Sequence, residues 1–445
     1  MRDPEASLTM GDTLVRRSLH QPLRDNHFLR TDLAKRWVVQ NRLVPFDIVD
    51  AFTVVSPRME FISYPSEWCD SQIFDAGQVT LQLQKEAVET GFDLKDASAW
   101  NVLFRGTDPI FCDLLSFKHL RSRKWWAAGQ FSRHFIISLL LSRQRGLCGH
   151  LTFKMWRDGA PPDVSRQLIG PGRFLTRYWP LMADGRSSPP TTVAREAAIE
   201  CIDADVIARF RRSLHTSLSW MLAGVGPDSM SIGKRGAWSS YVNERRHYDT
   251  RSVVHKQESV AEWITQLAPD WVVDLGCNIG EFSEIALKHG AKVVAIDADH
   301  NAIEQLYQSN PRATRLHPVI VDLDDMTSGR GWAGSEHPGL PQRLTKQFDL
   351  VMMLALIHHL AVAASVPLDA IASFAAQCTK RWLIVELIRE TDSQLRSLCM
   401  QRQRLPAEFS FDRQRAAFHD AGFVMTAQVT LQSDTRVLAL MRLSK

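Results

Sequence analysis

The sequence lacks the features that mark membrane, metal-binding and disulfide-stabilised proteins. Its longest strongly apolar run near the middle, residues 135–141, is far shorter than the roughly 20 residues that cross a bilayer. Residues 1–5 carry acids instead of the apolar core of a signal peptide. The seven cysteines are odd in number and contain no Cys-x-x-Cys pair, which disfavours a zinc site. These absences predict a cytoplasmic protein with free thiols, no membrane span and no metal.

The chain also lacks an internal repeat and a block of like charge. Lysines and arginines number 53 and acids 49, which gives a net charge of +4 spread along the sequence. This balance gives no support to a nucleic-acid partner. A chain of 445 residues exceeds one ordinary core, so two domains are expected. The proline-rich polar stretch 185–192 is the best linker candidate, and it predicts domains over 1–190 and 193–445.

Strand and helix patterns alternate regularly after residue 253. Apolar runs near residues 271–275, 293–297, 318–321, 348–354 and 381–386 read as strands separated by helical segments. Such alternation predicts a mainly parallel sheet covered on both faces. Two consecutive strands, near 424–430 and 436–441, predict an antiparallel hairpin at one edge. The C-terminal domain is therefore expected to be α/β, with a core over 255–445, and the N-terminal domain to be mixed α+β.

One short stretch joins the first strand of this sheet to the next helix. Asp274, Gly276, Asn278 and Gly280 occupy alternate positions through the turn, and the second strand ends on Asp297. Glycines let the backbone approach a ligand without a Cβ in the way. An acid at the end of the second strand can accept ribose hydroxyls and disfavours a 2′-phosphate. The pattern predicts a nucleotide-binding βαβ unit.

These residues, together with Asp322 and the strand that begins at Phe348, resemble motifs of class I S-adenosylmethionine-dependent methyltransferases. The resemblance covers residues 253–445 and implies a Rossmann-like seven-stranded sheet and S-adenosylmethionine as the cofactor. It implies that Asp322 contacts the adenine amino group. Asn278 stands where many relatives have glycine, and asparagine tolerates unusual backbone angles. An NAD-binding Rossmann domain is the competing interpretation, disfavoured because no Gly-x-Gly-x-x-Gly is present and the sheet ends in a hairpin.

The loop after the fourth strand contains two adjacent histidines, His358 and His359. In the resembled fold this loop faces the sulfonium, so both are candidates to deprotonate or orient the methyl acceptor, with His358 slightly favoured. A neutral imidazole near pH 7 suits that role. Capping of the next helix or packing in the core is an equally good interpretation. Glu386, at the end of the fifth strand, is a weaker candidate.

Two further segments flank this predicted site. Trp238, Tyr241 and Tyr248 precede the core, where relatives often place a segment that covers the substrate, although plain packing is the favoured interpretation. The insert 329–343 is long for a connection between a strand and a helix. Long loops in compact domains are often functional, so it is either a lid or a surface excursion.

The N-terminal half contains Asp96, Asn101 and, after an apolar strand, Asp113. This spacing resembles the catalytic loop and metal-binding aspartate of protein-kinase-like phosphotransferases. The catalytic-loop His-Arg pair and a glycine-rich phosphate loop are absent, so a degenerate kinase-like fragment is favoured over an active enzyme. Coincidence within a helical domain also stays open. The basic-aromatic stretch 121–126 is expected to be a solvated loop, with contact to an anionic ligand as the alternative.

The whole chain resembles a bacterial methyltransferase-like family that includes the rhizobial nodulation protein NoeA. The resemblance rests on residues 94–97, 111–117, 274–278, 331–332 and 354–360. The resemblance implies methylation of an oxygen or nitrogen on a small molecule or glycan and a link to nodulation signalling. The N-terminal half is expected to recognise the acceptor. A non-catalytic cofactor-binding scaffold and an RNA or protein methyltransferase are the alternatives. The second is disfavoured because no Asn/Asp-Pro-Pro-aromatic motif follows the fourth strand. The sequence predicts neither the acceptor nor the oligomeric state.

Overall fold

The protein divides into two compact units, Met1–Lys234 and Arg235–Lys445. The computed structural model describes residues 5–171, 176–182, 204–227, 250–431 and 434–444. The expected linker 185–192 lies outside these residues. The division falls later in the chain than the predicted boundary, because the helix Ala204–Ala223 belongs to the first unit. Arg211 of that helix is fully buried there and donates to Asp93 at 2.8 Å.

The N-terminal unit contains a four-stranded antiparallel sheet and two small two-stranded antiparallel sheets. Its strands are β1 (Ala6–Met10), β2 (Leu14–Leu19), β3 (Asp47–Asp50), β4 (Thr53–Pro57), β5 (Phe92–Leu94), β6 (Val102–Arg105), β7 (Asp108–Phe111) and β8 (Phe117–His119). The large sheet has the order β1-β2-β4-β3, while β5 pairs with β8 and β6 with β7. Short pieces of sheet of this kind need helices to cover them, because a two-stranded hairpin alone is marginally stable.

Helices supply that cover in the N-terminal unit. They are α1 (Asp32–Val39), α2 (Asp70–Glu89), α3 (Ala128–Phe131), α4 (Ser138–Arg145), α5 (Gly149–Met155), α6 (Pro162–Ile169) and α7 (Ala204–Ala223). A π-helical segment, Ser132–Ile137, joins α3 to α4. Short 3-10 helices occur at Phe28–Arg30, Pro65–Glu67, Ala99–Asn101 and Trp179–Met182. The unit is thus a mixture of strands and helices.

The C-terminal unit is built on one seven-stranded sheet. Its strands are β9 (Trp271–Leu275), β10 (Lys292–Asp297), β11 (Leu316–Ile320), β12 (Phe348–Met353), β13 (Thr379–Ile388), β14 (Phe423–Leu431) and β15 (Arg436–Leu443). The order is β11-β10-β9-β12-β13-β15-β14. The first five strands run parallel and β15 pairs antiparallel with both β13 and β14. The predicted Rossmann-like sheet with a terminal antiparallel hairpin is confirmed.

Helices connect these strands. They are α8 (Thr250–Leu267), α9 (Glu281–Lys288), α10 (His300–Ser309), α11 (Leu340–Leu344), α12 (Leu368–Cys378), α13 (Ser393–Gln401) and α14 (Phe411–Asp420). Every residue of β9 and β11 is buried, as expected for parallel strands covered on both faces. The order of the strands reverses between β9 and β12, so their carboxyl ends border a crevice where ligands of open α/β sheets bind.

Two properties of the described chain bear on the sequence-based expectations. No helix in these residues is long and apolar enough to span a membrane. The cysteines at positions 69, 112, 148, 277, 378 and 399 are free thiols.

Candidate functional site: a cavity at the carboxyl edge of the parallel sheet

The turn after β9 adopts the backbone conformation that its glycines make available. Gly276, Asn278 and Gly280 have φ angles of 78°, 51° and 84°. The amide nitrogens of Gly276 and Cys277 both donate to the carbonyl oxygen of Ile296, at 2.9 and 3.0 Å. A Cβ added to Gly276 would lie 3.2 Å from Leu356 Cδ1. The turn therefore winds tightly against β10 and leaves its backbone facing the crevice.

Asp274 fixes the start of this turn. Its Oδ2 accepts a 2.7 Å hydrogen bond from the hydroxyl of Ser283, in the first turn of α9. Burial raises the pKa of the Asp274 carboxyl to about 6, with the Ser283 hydroxyl opposing the shift and the nearby Asp297 adding to it. The group is thus mainly ionised at pH 7, and it offers a buried negative charge beside the glycine turn.

Asp297 ends β10 and orders the turn from the other side. Its Oδ2 accepts the amide of Asn278 at 2.8 Å, and its Oδ1 accepts the amide of Asp299 at 2.8 Å. Burial raises the pKa of this carboxyl, while those backbone amides oppose the shift. Each carboxylate oxygen keeps further acceptor capacity. Asp297 is therefore placed both to hold the turn and to accept hydroxyl groups of a ligand.

A cavity of about 460 Å³ opens at this edge of the sheet, within the range of small-molecule pockets. Five of the six predicted cofactor-binding residues line it, namely Asp274, Gly276, Asn278, Asp297 and Asp322. Gly280 does not line it. That residue instead precedes α9, and a Cβ there would lie 2.4 Å from Leu306 Cδ1. Glycine at position 280 lets α9 pack closely against Leu306. Its place in the sequence motif therefore did not correspond to a place in the cavity lining.

Other residues of the lining escaped the sequence analysis. They include Lys256 on α8, Glu281 and Phe282 on α9, Asp324 after β11 and Arg402 after α13. Asp324 shares a hydrogen bond with Asp322, which raises its pKa. Asp324 could have been predicted, because it lies in the acid-rich run Asp322–Asp325 that follows β11. Helix α13, between β13 and β14, was absent from the predicted pattern, so Arg402 had no place in the expected site.

The two histidines lie in different environments. His359 lines the cavity and begins a π-helical turn, His359–Ala363, that follows β12. π-helical turns are frequent at functional sites. His358 is buried behind it and does not line the cavity, with ring centroids 4.2 Å apart. The structure thus brings His359, and not the slightly favoured His358, to the cavity surface.

Burial determines the protonation of both rings. It lowers the pKa of His359 to about 4, with Arg436 acting in the same direction. It lowers the pKa of His358 further, and His359 and Arg436 add to the effect. Both imidazoles are therefore neutral near pH 7. With a pKa of about 4, His359 is a weak base but a competent hydrogen-bonding group.

Glu386 belongs to a buried charge network. It is fully buried, its Oε2 lies 2.5 Å from Lys256 Nζ, and its Oε1 accepts Arg436 Nη1 at 2.9 Å. Arg436 also donates to Asp392 at 2.9 Å. Burial alone would raise the pKa of Glu386, but Lys256 and Arg436 hold it well below its usual range. Glu386 does not line the cavity; it holds Lys256, which does.

The remaining predicted segments have separate outcomes. Trp238, Tyr241 and Tyr248 lie outside the described residues. In the insert 329–343, Arg330 bridges to His337 and Trp332 is 72% exposed. In the N-terminal unit, Asn101 Nδ2 lies 3.5 Å from Asp113 Oδ2 and donates to the Asp96 carbonyl at 3.3 Å. Asp96, Asn101 and Asp113 therefore lie close together in the folded N-terminal unit.

The lining fits S-adenosylmethionine on the residues present. The glycine turn presents backbone without a Cβ at Gly276, the buried carboxylate of Asp274 suits an ammonium group, and Asp297 suits two hydroxyls. No cationic residue lies at the end of β10 to receive a 2′-phosphate in this lining. The acids at the strand ends give this part of the lining a negative charge, whereas a crevice that binds phosphate is expected to carry a positive one.

Comparison with known proteins agrees with this geometry. A family model described as "Methyltransferase domain" matches residues 273–381. The nodulation protein NoeA of Rhizobium meliloti (strain 1021) is 28% identical over 369 residues, covering 80% of this chain and 74% of NoeA.

Solved structures of methyltransferases are also similar. The N-methyltransferase NodS from Bradyrhizobium japonicum WM9 is 13% identical and has a TM-score of 0.33, with 44% of this chain and 99% of NodS covered. Magnesium protoporphyrin IX methyltransferase (ChlM) from Synechocystis PCC 6803 is 17% identical and has a TM-score of 0.31, with 43% of this chain and 84% of ChlM covered. Residues 273–381 thus match a methyltransferase domain, the cavity lining fits S-adenosylmethionine, and the chain is similar to NoeA over most of its length.

Proposed function

We propose that the enzyme methylates an oxygen or nitrogen atom of a small molecule or carbohydrate. The observation that carries this proposal is the course of the cavity, which runs from the glycine turn and Asp297 to His359. When bound, S-adenosylmethionine supplies a methyl group on an already activated sulfonium. The protein then has chiefly to align the acceptor with that methyl group.

The residues of the lining divide this work. Asp274, Asn278, Asp297 and Asp322 hold the cofactor, and the neutral ring of His359 accepts a hydrogen bond from the acceptor. Because its pKa is about 4, His359 serves to orient the acceptor better than to remove a strongly held proton. An amine that attacks as the neutral base, or a hydroxyl that loses its proton late, fits this arrangement.

The acceptor class is proposed from the size of the cavity, about 460 Å³, and from the likeness to a nodulation protein. NoeA is named for nodulation, and the similarity extends over 80% of this chain. We therefore place the acceptor among small molecules or glycans linked to that signalling. The N-terminal unit, interpreted as a degenerate kinase-like fragment around Asp96, Asn101 and Asp113, would contribute acceptor recognition. The cytoplasmic location expected from the sequence stays a prediction.

Calorimetric titration of the full chain tests the cofactor and the kinase alternative together. We expect S-adenosylmethionine to bind with a Kd of about micromolar strength and ATP with magnesium to give no heat of binding. The labelled cofactor, incubated with the enzyme and fractionated glycan or metabolite extracts, then identifies the acceptor. Binding of the cofactor without transfer to any fraction would favour a non-catalytic scaffold. Label transferred to RNA or protein fractions instead would contradict the small-molecule proposal.

A further inference from the structure

A second cavity, of about 510 Å³, lies within the N-terminal unit. Its walls come from the loop after β2, which contains Arg24 and His27, and from the end of β8, which contains Lys118 and His119. Arg121, in the stretch singled out from the sequence, also lines it. The cavity shares no residue with the methyltransferase site, so its chemistry is independent of methyl transfer.

The base of this second cavity is a packed aromatic cluster. Phe28 stacks on Phe117 with ring centroids 4.3 Å apart and meets the edge of Phe92 at 5.3 Å. His119 stacks on Phe92 with ring centroids 4.8 Å apart. Such packing leaves few rotamers to the side chains that stand on it. The aromatic base is thus ordered before a ligand arrives, which lowers the entropic cost of binding.

The charge of the lining is positive. Among the described residues of the lining, Glu5 is the one acid, against the cations Arg24, Lys118 and Arg121, which leaves +2 with histidines neutral (3 − 1). Glu5 is shared, because it pairs with Lys95 at 2.8 Å as well as with Lys118. Among the described residues, the guanidinium groups of Arg24 and Arg121 have no carboxylate partner. Two exposed guanidinium groups therefore border one cavity without neutralisation.

His27 adds an oriented hydrogen-bond donor. Its Nδ1 accepts the amide of Leu29 at 3.2 Å, where it caps the 3-10 helix Phe28–Arg30. Burial lowers the pKa of His27 to about 4, and the charge of Lys118 acts in the same direction. The neutral ring consequently carries its proton on Nε2. That N–H is the only donor of the ring, and its direction is fixed by the helix cap.

We infer that this cavity binds a phosphate-bearing small molecule, with the phosphate or diphosphate group held by Arg24, Arg121 and Lys118. Guanidinium groups match phosphate oxygens in pairs of parallel hydrogen bonds. A lining charge of +2 balances a dianionic phosphate, whereas a carboxylate ligand would neutralise half of it. The apolar base beside Phe92 accommodates the organic part of the ligand, and His27 Nε2 donates to an oxygen.

Titration calorimetry of the full chain with sodium pyrophosphate, at fixed ionic strength, tests the inference. We expect saturable binding with a Kd of about millimolar or tighter, and no saturation with sodium acetate in the same range. Arg24→Gln and Arg121→Gln should each weaken pyrophosphate binding by about tenfold, since each removes charge-assisted hydrogen bonds. Both side chains are exposed, so the variants should keep the melting temperature of the parent.

Arg36→Gln is the matched control, because Arg36 is an exposed arginine of the same unit that does not line the cavity. It should bind pyrophosphate like the parent. Equal weakening in Arg36→Gln, or saturation by acetate as strong as by pyrophosphate, would show only diffuse attraction to a basic surface and overturn the inference. Absence of saturable pyrophosphate binding by the parent would do the same. Neither result depends on S-adenosylmethionine, so failure here leaves the methyltransferase assignment standing.

Discussion

The cavities of the two units carry charge of opposite sign. In the C-terminal unit, acids outnumber cations in the cavity lining. Arg436 of the same unit is buried between the carboxylates of Glu386 and Asp392. In the N-terminal unit, Arg24 and Arg121 are exposed around a cavity to which the described part of the chain contributes one acid, Glu5. The net charge of +4 for the whole chain conceals this contrast. The charge of each cavity depends on which side chains line it and on which of them are paired or buried, and the composition of the whole chain does not predict it.

The largest expected effect comes from breaking a charge pair in each unit. Glu386→Ala leaves Lys256 and Arg436 buried without their shared carboxylate, which should lower the free energy of unfolding by about 3–5 kcal/mol. Glu5→Ala removes two ion pairs, with Lys95 and Lys118, whose side chains are 33–40% exposed; each should contribute less than about 1 kcal/mol because solvent screens it. Urea denaturation of both variants measures the difference. Equal losses of unfolding free energy in the two variants would contradict the proposed difference between a buried charge network and solvent-screened ion pairs.

The next largest effect concerns the acid at the end of β10. Asp297→Ala should weaken S-adenosylmethionine binding by about 100-fold, since hydrogen bonds to a charged group are each worth about 1.5–3 kcal/mol. Asp325→Ala is the control, because Asp325 is an exposed acid of the same unit that does not line the cavity. Calorimetry with circular dichroism separates lost affinity from lost fold. Retained affinity in a folded Asp297→Ala variant would refute the assigned role.

The histidine at the cavity surface predicts a smaller, pH-dependent effect. His359→Ala should reduce kcat/KM by about tenfold through loss of one hydrogen bond to the acceptor. In the parent, the pKa of about 4 keeps the ring neutral, so kcat/KM should show no His359 titration between pH 6 and 8. A step near pH 6.5 that disappears in His359→Ala would contradict this prediction. The matched variant His289→Ala, an exposed histidine after α9, should behave like the parent.

The same shift has a consequence for stability. The folded pKa of His359 is lower than the ordinary value of 6.5, so between pH 6.5 and 4 the unfolded chain binds more protons than the folded one. Stability therefore falls as the pH is lowered through this window. His359→Gln should make the free energy of unfolding fall less steeply there. An unchanged slope in denaturation measured at pH 4.5, 5.5 and 6.5 would show that the ring is not buried as described.

The smallest effect is expected at Asn278. Its φ of 51° is accessible to asparagine at modest cost, and its Oδ1 accepts the amide of Ile279 at 2.8 Å. Asn278→Gly relieves the backbone cost but loses that hydrogen bond and increases the flexibility of the unfolded chain. The two terms oppose each other, so stability and cofactor affinity should change by less than about 1 kcal/mol. Asn278→Val, which disfavours positive φ, should lose considerably more in the same assays.

Local sequence patterns predicted the C-terminal sheet well, because its signals are short-range. Strand β9 was predicted with the bounds that the structure gives, Trp271–Leu275. Its alternation with helices predicted the parallel order, and the final two strands predicted the hairpin. Helix α13 was missed, and with it Arg402 in the cavity lining. The helix is nine residues long, so its apolar residues, such as Leu395 and Cys399, span too few turns to give a clear periodic signal.

The sequence alone determined the glycine turn and its acids, since backbone geometry at Gly276 and a carboxylate at a strand end are properties of neighbouring residues. Tertiary structure decided the rest. Lys256 and Glu386 are 130 positions apart, and Glu386 and Arg436 are 50 apart. Which of two adjacent histidines faces the cavity depends on the π-helical turn and on what buries the other. Contacts between residues far apart in sequence decide which charged groups are buried together and which histidine faces the cavity, and no local sequence pattern predicts such contacts.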